Sequence, residues 1–580
     1  MRINRRKKSA KILALGALVL VAIVVVVITL VVISTKKKEE RRLGAVVSSG
    51  HGCAEIGVAT MKKGGNAVDA AIATMFCEGV AMSESTGLGG GFFLVLYNKT
   101  TGETWALDAR ETAPGAAAED MYVGKPANAS LRGGSSVAVP GELRGYWELY
   151  KRFGGGLPWK DLVQPTLDIC KNGQFVTEFL ETRFKIRKEL LYNDPTMRDT
   201  FFHKNSKEYY KSGEYLKRPR MARTLEIIAR EGGDALHNGS LTKGFVEDIR
   251  DKGGFITEKD MNNYKPIWKR PVQTMIDQNY TVISSPLPAS GIILNYILNI
   301  LSNFIDFNQP YSIETNQRII ESFKFGYAKR TEFADPDFFD FTELVNNMSS
   351  PAYAAATRKL IKDNQTFQDP LYYGATTNFQ EDHGTSHISV LSPQGDAVSV
   401  TGTINFIWGA GFQSNSTGII LNDSMDDFSQ PETTNGFGLP PARVNFIKPG
   451  KRPMSSMTPA IVLDENKNVV MVPGGAGGSK ITTALAQTII KHLWFKMDLN
   501  TSINERRLHH QLVPMKIIYE EEFRTKAKDL VEGLAKIGHK YDFTDDYGFA
   551  SIVAISRNSS TGHTEAVSDA RRPGSVAYDN

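Results

Sequence analysis

The sequence predicts a mixed α/β protein, and three stretches carry that expectation. Ile388-Ser389-Val390-Leu391 alternates as a strand does, and after the turn Pro393-Gln394-Gly395-Asp396 the run Ala397 to Thr401 returns as the second arm of a hairpin. Val469-Val470-Met471-Val472 passes through a glycine-rich turn into a helical pattern from Ile481 to Phe495, an order of strand, glycines and helix. Between residues 137 and 380 the chain reads as mostly helical with loops.

A chain of 580 residues at 41% hydrophobic content buries large cores. The formal net charge is only +5, and much of the excess lies in the first 42 residues, so no basic nucleic-acid face is indicated for the remainder. There is no internal repeat. Cys53, Cys77 and Cys170 form no Cys-x-x-Cys, and His383 and His387, four apart, lack the glutamate of a His-Glu-x-x-His helix; no metal and no cofactor are assigned. In an oxidising compartment Cys53 and Cys77 are the expected bridge across a helical hairpin, with Cys170 a buried thiol.

Residues 12–33 are uncharged and rich in Leu, Val and Ile, long enough at helical rise to cross a hydrocarbon core of about 30 Å. The expectation is a transmembrane signal anchor over 12–33, a cytoplasmic tail over 1–11 and a stalk over 34–48. Basic residues stand on both sides, so orientation is read from the sequons at Asn98, Asn128, Asn238, Asn279, Asn364 and Asn500, which favour an extracellular body. This predicts a single-pass type II protein of the plasma membrane.

After the stalk, Cys53 to Lys63 and Asn66 to Cys77 show helical periodicity broken at Gly64-Gly65. Gly87-Leu88-Gly89-Gly90-Gly91 precedes a strand, Phe92 to Tyr97, whereas a dinucleotide loop follows a strand and opens a helix; a dinucleotide fold is excluded. The strand Thr104 to Asp108 leads to Arg110, which at the end of a buried strand either sits in a structural ion pair or holds an acidic ligand. The turn at Gly477-Gly478-Ser479-Lys480 lacks the Gly-Lys-Ser/Thr order of a phosphate loop, and its backbone N–H groups suit an oxyanion hole instead.

The stretch Asp382-His383-Gly384-Thr385-Ser386-His387 sets a threonine between a flexible glycine and a strand. A threonine hydroxyl is a weak nucleophile. If the Gly384–Thr385 bond were cut, the freed α-amine of Thr385 would stand beside its own hydroxyl as a base. The hairpin brings Thr403 and Asn405 back near it.

From about Cys53 to the C-terminus the chain resembles the γ-glutamyltransferase family of N-terminal-nucleophile hydrolases. The motifs that carry the likeness occur in family order: Gly-Asn-Ala-Val-Asp-Ala-Ala-Ile-Ala, Gly-Leu-Gly-Gly-Gly-Phe-Phe, Ala-Arg-Glu-Thr-Ala-Pro, Val-Ala-Val-Pro-Gly-Glu-Leu-Arg-Gly, Gly-Thr-Ser-His-Ile-Ser-Val, Met-Asp-Asp-Phe, Pro-Met-Ser-Ser-Met-Thr-Pro and Gly-Gly-Ala-Gly-Gly-Ser. The resemblance implies an αββα four-layer sandwich, preceded here by the anchor. It also implies self-cleavage into a large chain, 49–384, and a small chain, 385–580. Thr385 is the implied nucleophile, Thr403 the residue bonded to its hydroxyl, and Gly477 and Gly478 the oxyanion-hole glycines. Arg110, Ser455 and Ser456 are implied to bind the substrate α-carboxylate, and Asn405 and Asp427 its α-amine. The implied partners are glutathione and other γ-glutamyl compounds as donors, with water, amino acids or dipeptides as acceptors. A leukotriene-preferring paralogue, an acylase on a related scaffold and an inactive surface glycoprotein are the alternatives. One position departs from the family: Ser424 stands where relatives carry a longer glutamate or glutamine near the α-amine, so weaker substrate binding is expected. The change makes Asn422-Asp423-Ser424 a formal sequon, expected to be unmodified beside the pocket.

Overall fold

The computed structural model describes residues 42–378, 384–432, 439–544 and 548–579, together with Ala22. The fold occupies Leu43–Asp579. The chain enters through β1 (Gly44–Ser48), then helices α1 (Cys53–Lys62) and α2 (Ala67–Ala81), then strands β2 (Gly91–Tyr97) and β3 (Thr104–Ala109). Helices α3 (Glu142–Phe153), α4 (Trp159–Asn172) and α5 (Glu178–Ile186) follow, before β4 (Ile267–Lys269), β5 (Val272–Ile276) and β6 (Tyr280–Ser284). Next come α6 (Gly291–Leu301) and α7 (Ile313–Arg330), the hairpin β7 (Ser386–Leu391) and β8 (Ala397–Thr403), then β9 (Ala460–Asp464) and β10 (Val469–Ala476). Helix α8 (Lys480–Ile489) and strands β11 (Ser551–Arg557), β12 (Thr564–Ser568) and β13 (Ser575–Asp579) complete the layers.

Two antiparallel sheets result, a seven-stranded one in the order β13-β1-β7-β8-β2-β3-β4 and a six-stranded one in the order β12-β11-β10-β9-β6-β5. Their inner faces share one apolar cluster that includes Val47, Val95 and Leu391 from the first sheet and Ile461, Val472 and Val553 from the second. Helices α2 to α4 bury their apolar sides against the outer face of the first sheet, around Leu94, Leu107 and Val398. Helices α6 to α8 do the same for the second, around Val282, Val462 and Ala554. Helix α2 shows how the sequence allows this. Asn66 and Asp69 form a capping box at its start, and Ala70, Ala71 and Ala73 are small enough for close contact with its neighbours. A disulfide between Cys53 and Cys77 ties α1 to α2, and Cys170 is a buried free thiol.

Three expectations change. The stalk expected over 34–48 gives way at Gly44 to β1, whose Val46 and Val47 are wholly buried and which pairs with both β7 and β13. The helical middle contains β4 to β6. Tyr280 to Ser284 is rich in β-branched residues and pairs along its length with β9, a long-range partner that local periodicity does not reveal. The single-pass plasma-membrane expectation is also corrected: no helix among the described residues is long and apolar enough to cross a membrane. Apart from Ala22, the apolar segment 12–33 and the tail before it lie outside the described residues.

Candidate active site

The site forms where β7 and β8 of one sheet meet the end of β10 in the other. Thr385, 2% exposed, immediately precedes β7. Gly384 before it takes φ of +68°, and a Cβ there would lie 2.2 Å from the Asn405 carbonyl oxygen, so only glycine fits. The pairing of Gly402 with Ser386 sets Thr403 beside the Gly384–Thr385 junction, and the Thr403 hydroxyl donates to the Gly384 carbonyl. Thr403 Oγ1 in turn accepts from the Asn405 N–H at 2.8 Å. From the other sheet, the Gly477 N–H donates to Thr385 Oγ1 at 2.9 Å. Gly477 and Gly478, at φ of +132° and +62°, form the turn into α8, and the Gly478 carbonyl accepts from Ile481.

The two sheets approach closely just behind this point. A Cβ on Gly474 would lie 1.9 Å from the His387 ring, which is buried between them. His387 is held by Thr401 at 2.8 Å and Ser389 at 3.2 Å, and burial pushes its pKa down to about 3, so it is a neutral spacer. The glycines of the Gly87–Gly91 run serve the same purpose. A Cβ on Gly90 would stand 1.9 Å from the Thr403 carbonyl oxygen.

A second group surrounds Arg110, which is 1% exposed. Its guanidinium pairs with Asp427 and, at 3.2 Å, with Glu111. Arg110 and Asp427, expected at opposite ends of a substrate head group, are thus paired with each other. Ser424 donates to Glu111 Oε1 at 2.9 Å, so the short side chain turns toward a carboxylate the sequence reading had not considered. Burial raises the Glu111 pKa despite the neighbouring guanidinium. Asn405, an asparagine at φ of +70°, donates from Nδ2 to the Asp423 carbonyl at 3.1 Å, while its buried Oδ1 has no hydrogen-bond partner. Asn422 is fully buried, its amide donating to Gly89 and Ala138 and its carbonyl oxygen accepting from Ala138 and Ser424, which leaves no access for a glycan.

Ser455 and Ser456 form a third group. Ser456 Oγ accepts from Arg330 at 3.0 Å, and Ser455 Oγ accepts from the Met457 N–H at 3.2 Å. Arg330 and Asp427 line one small cavity, which connects this group to the second. A cavity of about 760 Å³ contains none of these residues; it opens beside Phe179, Arg571, Pro573 and Gly574. Hydrogen-bond donors converge instead on Thr385.

Several residues here escaped the sequence reading: Glu111, Arg330, Arg572 and Glu78. Arg572 donates to the Thr385 carbonyl at 2.7 Å. Glu78 accepts from Ser386 and Ser48 and, at 2.9 Å, from the Gly50 N–H. A glutamate in the otherwise apolar second half of α2 was the readable signal for Glu78. The others come from segments far apart in sequence.

The γ-glutamyltranspeptidase family model matches residues 53–579. The chain belongs to the γ-glutamyltranspeptidase family. It is an enzyme of that class. It is 40% identical over 92% of its length to scoloptoxin SSD14 of Scolopendra dehaani, covering 92% of that protein. It is also 38% identical to glutathione hydrolase proenzyme 1 of Schizosaccharomyces pombe, over 91% of this chain and 83% of the relative. In fold, the chain is similar to the crystal structure of cephalosporin acylase from Bacillus halodurans. The TM-score is 0.80 at 24% identity, covering 93% of this chain and 96% of that one.

Proposed function

We propose that this γ-glutamyltranspeptidase is a proenzyme that cuts itself between Gly384 and Thr385 and then transfers γ-glutamyl groups through Thr385. Its donors are glutathione and related γ-glutamyl compounds, and its acceptors are water or the amines of amino acids and dipeptides. The observation that carries this reading is the pair of hydrogen bonds at one peptide unit: Thr403 to the Gly384 carbonyl, and Gly477 to the Thr385 hydroxyl.

In the first stage Thr385 Oγ1 attacks the Gly384 carbonyl carbon, and the Thr403 hydroxyl stabilises the negative charge that grows on its oxygen. The C–N bond breaks, the nitrogen takes up a proton to become the α-amine, and water hydrolyses the ester left on Thr385. In the second stage the α-amine takes the Thr385 hydroxyl proton as Oγ1 attacks a γ-glutamyl carbonyl. The N–H groups of Gly477 and Gly478 hold the oxyanion. The leaving amine departs with a proton, and water or an acceptor amine resolves the acyl-enzyme.

The zwitterionic head group replaces the Arg110–Asp427 pair. Arg110, Ser455 and Ser456 take its carboxylate; Asp427 and Asn405, with Ser424 at the margin, take its ammonium. Each buried charge then keeps a partner before and after binding. The name of the fission-yeast relative, a glutathione hydrolase proenzyme, supports both the donor and the processing step. The test is glutamate release from glutathione by purified protein, with and without a dipeptide acceptor. Turnover is expected for the wild type and none for Thr385→Ala; equal rates for the two would reject Thr385 as the nucleophile.

A further inference from the structure

Arg572 lies on the loop between β12 and β13 and reaches the Thr385 carbonyl, whereas Gly477 reaches the Thr385 hydroxyl. That loop is rigid for a physical reason. Asp569 and Arg571 belong to a buried network with Arg507 and Glu520, in which Arg571 lies 3.0 Å from Asp569 and bonds Glu520 through two nitrogens. Gly574 closes the loop so tightly that a Cβ there would lie 2.0 Å from the Ser48 carbonyl oxygen. So mounted, the Arg572 guanidinium sits 4.6 Å from the centre of the Phe179 ring and donates to the Thr385 carbonyl at 2.7 Å. The next residue, Ser386, is held separately by the buried carboxyl of Glu78.

We propose that Arg572 is a positioning residue for the nucleophile: its guanidinium fixes the Thr385 carbonyl and so keeps a positive charge beside the α-amine that cleavage frees. This rests on the self-cleavage reading above. A cation a few ångströms away disfavours the ammonium form, so the amine is held neutral, as a base must be, lower in pH than an unperturbed α-amine would be. The groups facing Arg572 permit this. They are Glu78 from α2, Glu84 from the loop after it, Arg183 from α5 and Asp569 from the same loop. Burial lifts Glu78 to about 7, so its carboxyl does not fully cancel the guanidinium below neutrality, and burial raises Glu84 in the same direction. Arg183 adds positive charge, and Asp569 is already paired with Arg507 and Arg571. Burial lowers Arg572 only to about 10, so it stays charged through the working range.

The experiment is the pH profile of kcat/KM for γ-glutamyl hydrolysis by two-chain wild type, Arg572→Gln and Arg572→Lys. Glutamine keeps a donor for the Thr385 carbonyl and removes the charge, whereas lysine keeps the charge. The acidic limb is expected to move upward by about one pH unit in the glutamine variant and to stay near its wild-type position in the lysine variant. An unmoved limb in Arg572→Gln, or an equal displacement in Arg572→Lys, would overturn the proposal. Should glutamine abolish folding, as judged by melting, Arg572→Met and Arg572→Lys make the same comparison of neutral with charged. A wild type that stays uncut or inactive would instead defeat the self-cleavage reading, so the two failures are distinguishable.

Discussion

The Arg110 guanidinium is 1% exposed and is paired with Asp427 and Glu111. Lysine would keep the charge but not the planar fork that spans Asp427 and Glu111. Arg110→Lys is expected to lower kcat/KM for glutathione by about 10- to 100-fold, the range for one charge-assisted hydrogen-bonded pair of about 1.5–3 kcal/mol. Normal cleavage into two chains should accompany that loss, and an unchanged rate would return Arg110 to a purely structural ion pair. Glu78 makes a prediction of opposite character. Burial raises its pKa from 4.5 to about 7, so its favourable contribution is complete below about 4.5 and is lost as pH rises through 7. Glu78→Gln is therefore expected to be more stable than wild type by up to about 3 kcal/mol at pH 8, with the advantage vanishing near pH 4.5. Urea denaturation at the two pH values measures it; an equal difference at both would show that folding leaves the Glu78 pKa unshifted. At this scale the sequence exposed what local order determines, the Gly384-Thr385 step and Thr403. It did not expose Arg572 or Arg330, because an arginine far along the chain carries no mark of the carbonyl or hydroxyl it will meet.

The strands decide which residues converge. The β7–β8 hairpin was legible because its two arms are adjacent and alternate cleanly. Strands β4 to β6 were not: β5 and β6 form a local hairpin set in a mostly helical segment, and the remaining partners, β3 for β4 and β9 for β6, lie far away in sequence. The approach of β10 to β7 rests on Gly474, whose missing side chain makes room for His387. Gly474→Ala forces that buried ring or the strand to move, and overpacking of this kind costs about 1–3 kcal/mol. The expected result is a lower denaturation midpoint together with slower self-cleavage, since the same shift displaces Gly477 from Thr385. A His387→Ala, Gly474→Ala double variant should recover part of the midpoint; no recovery would mean that the two residues do not share one packing site.

In the whole molecule, Thr385, the proposed nucleophile, leads into a strand of one sheet and its backbone donor Gly477 follows a strand of the other, so the packed sandwich rather than any single segment makes the site. The glycine-rich motifs that revealed the family in the sequence are places where one backbone passes close to another, which explains why they were readable before any contact was known. Burial of the site within the fold also explains why the charges there are paired among themselves. The central claim is that Thr385 becomes the nucleophile when the chain cuts itself before it. A denaturing gel of the purified protein, with N-terminal sequencing of the smaller band, tests this directly. The expected result is two chains for the wild type, the smaller beginning Thr385-Ser386-His387-Ile388, and one uncut chain for Thr385→Ala. A small chain that begins elsewhere, or a Thr385→Ala protein that is cut like the wild type, would contradict it.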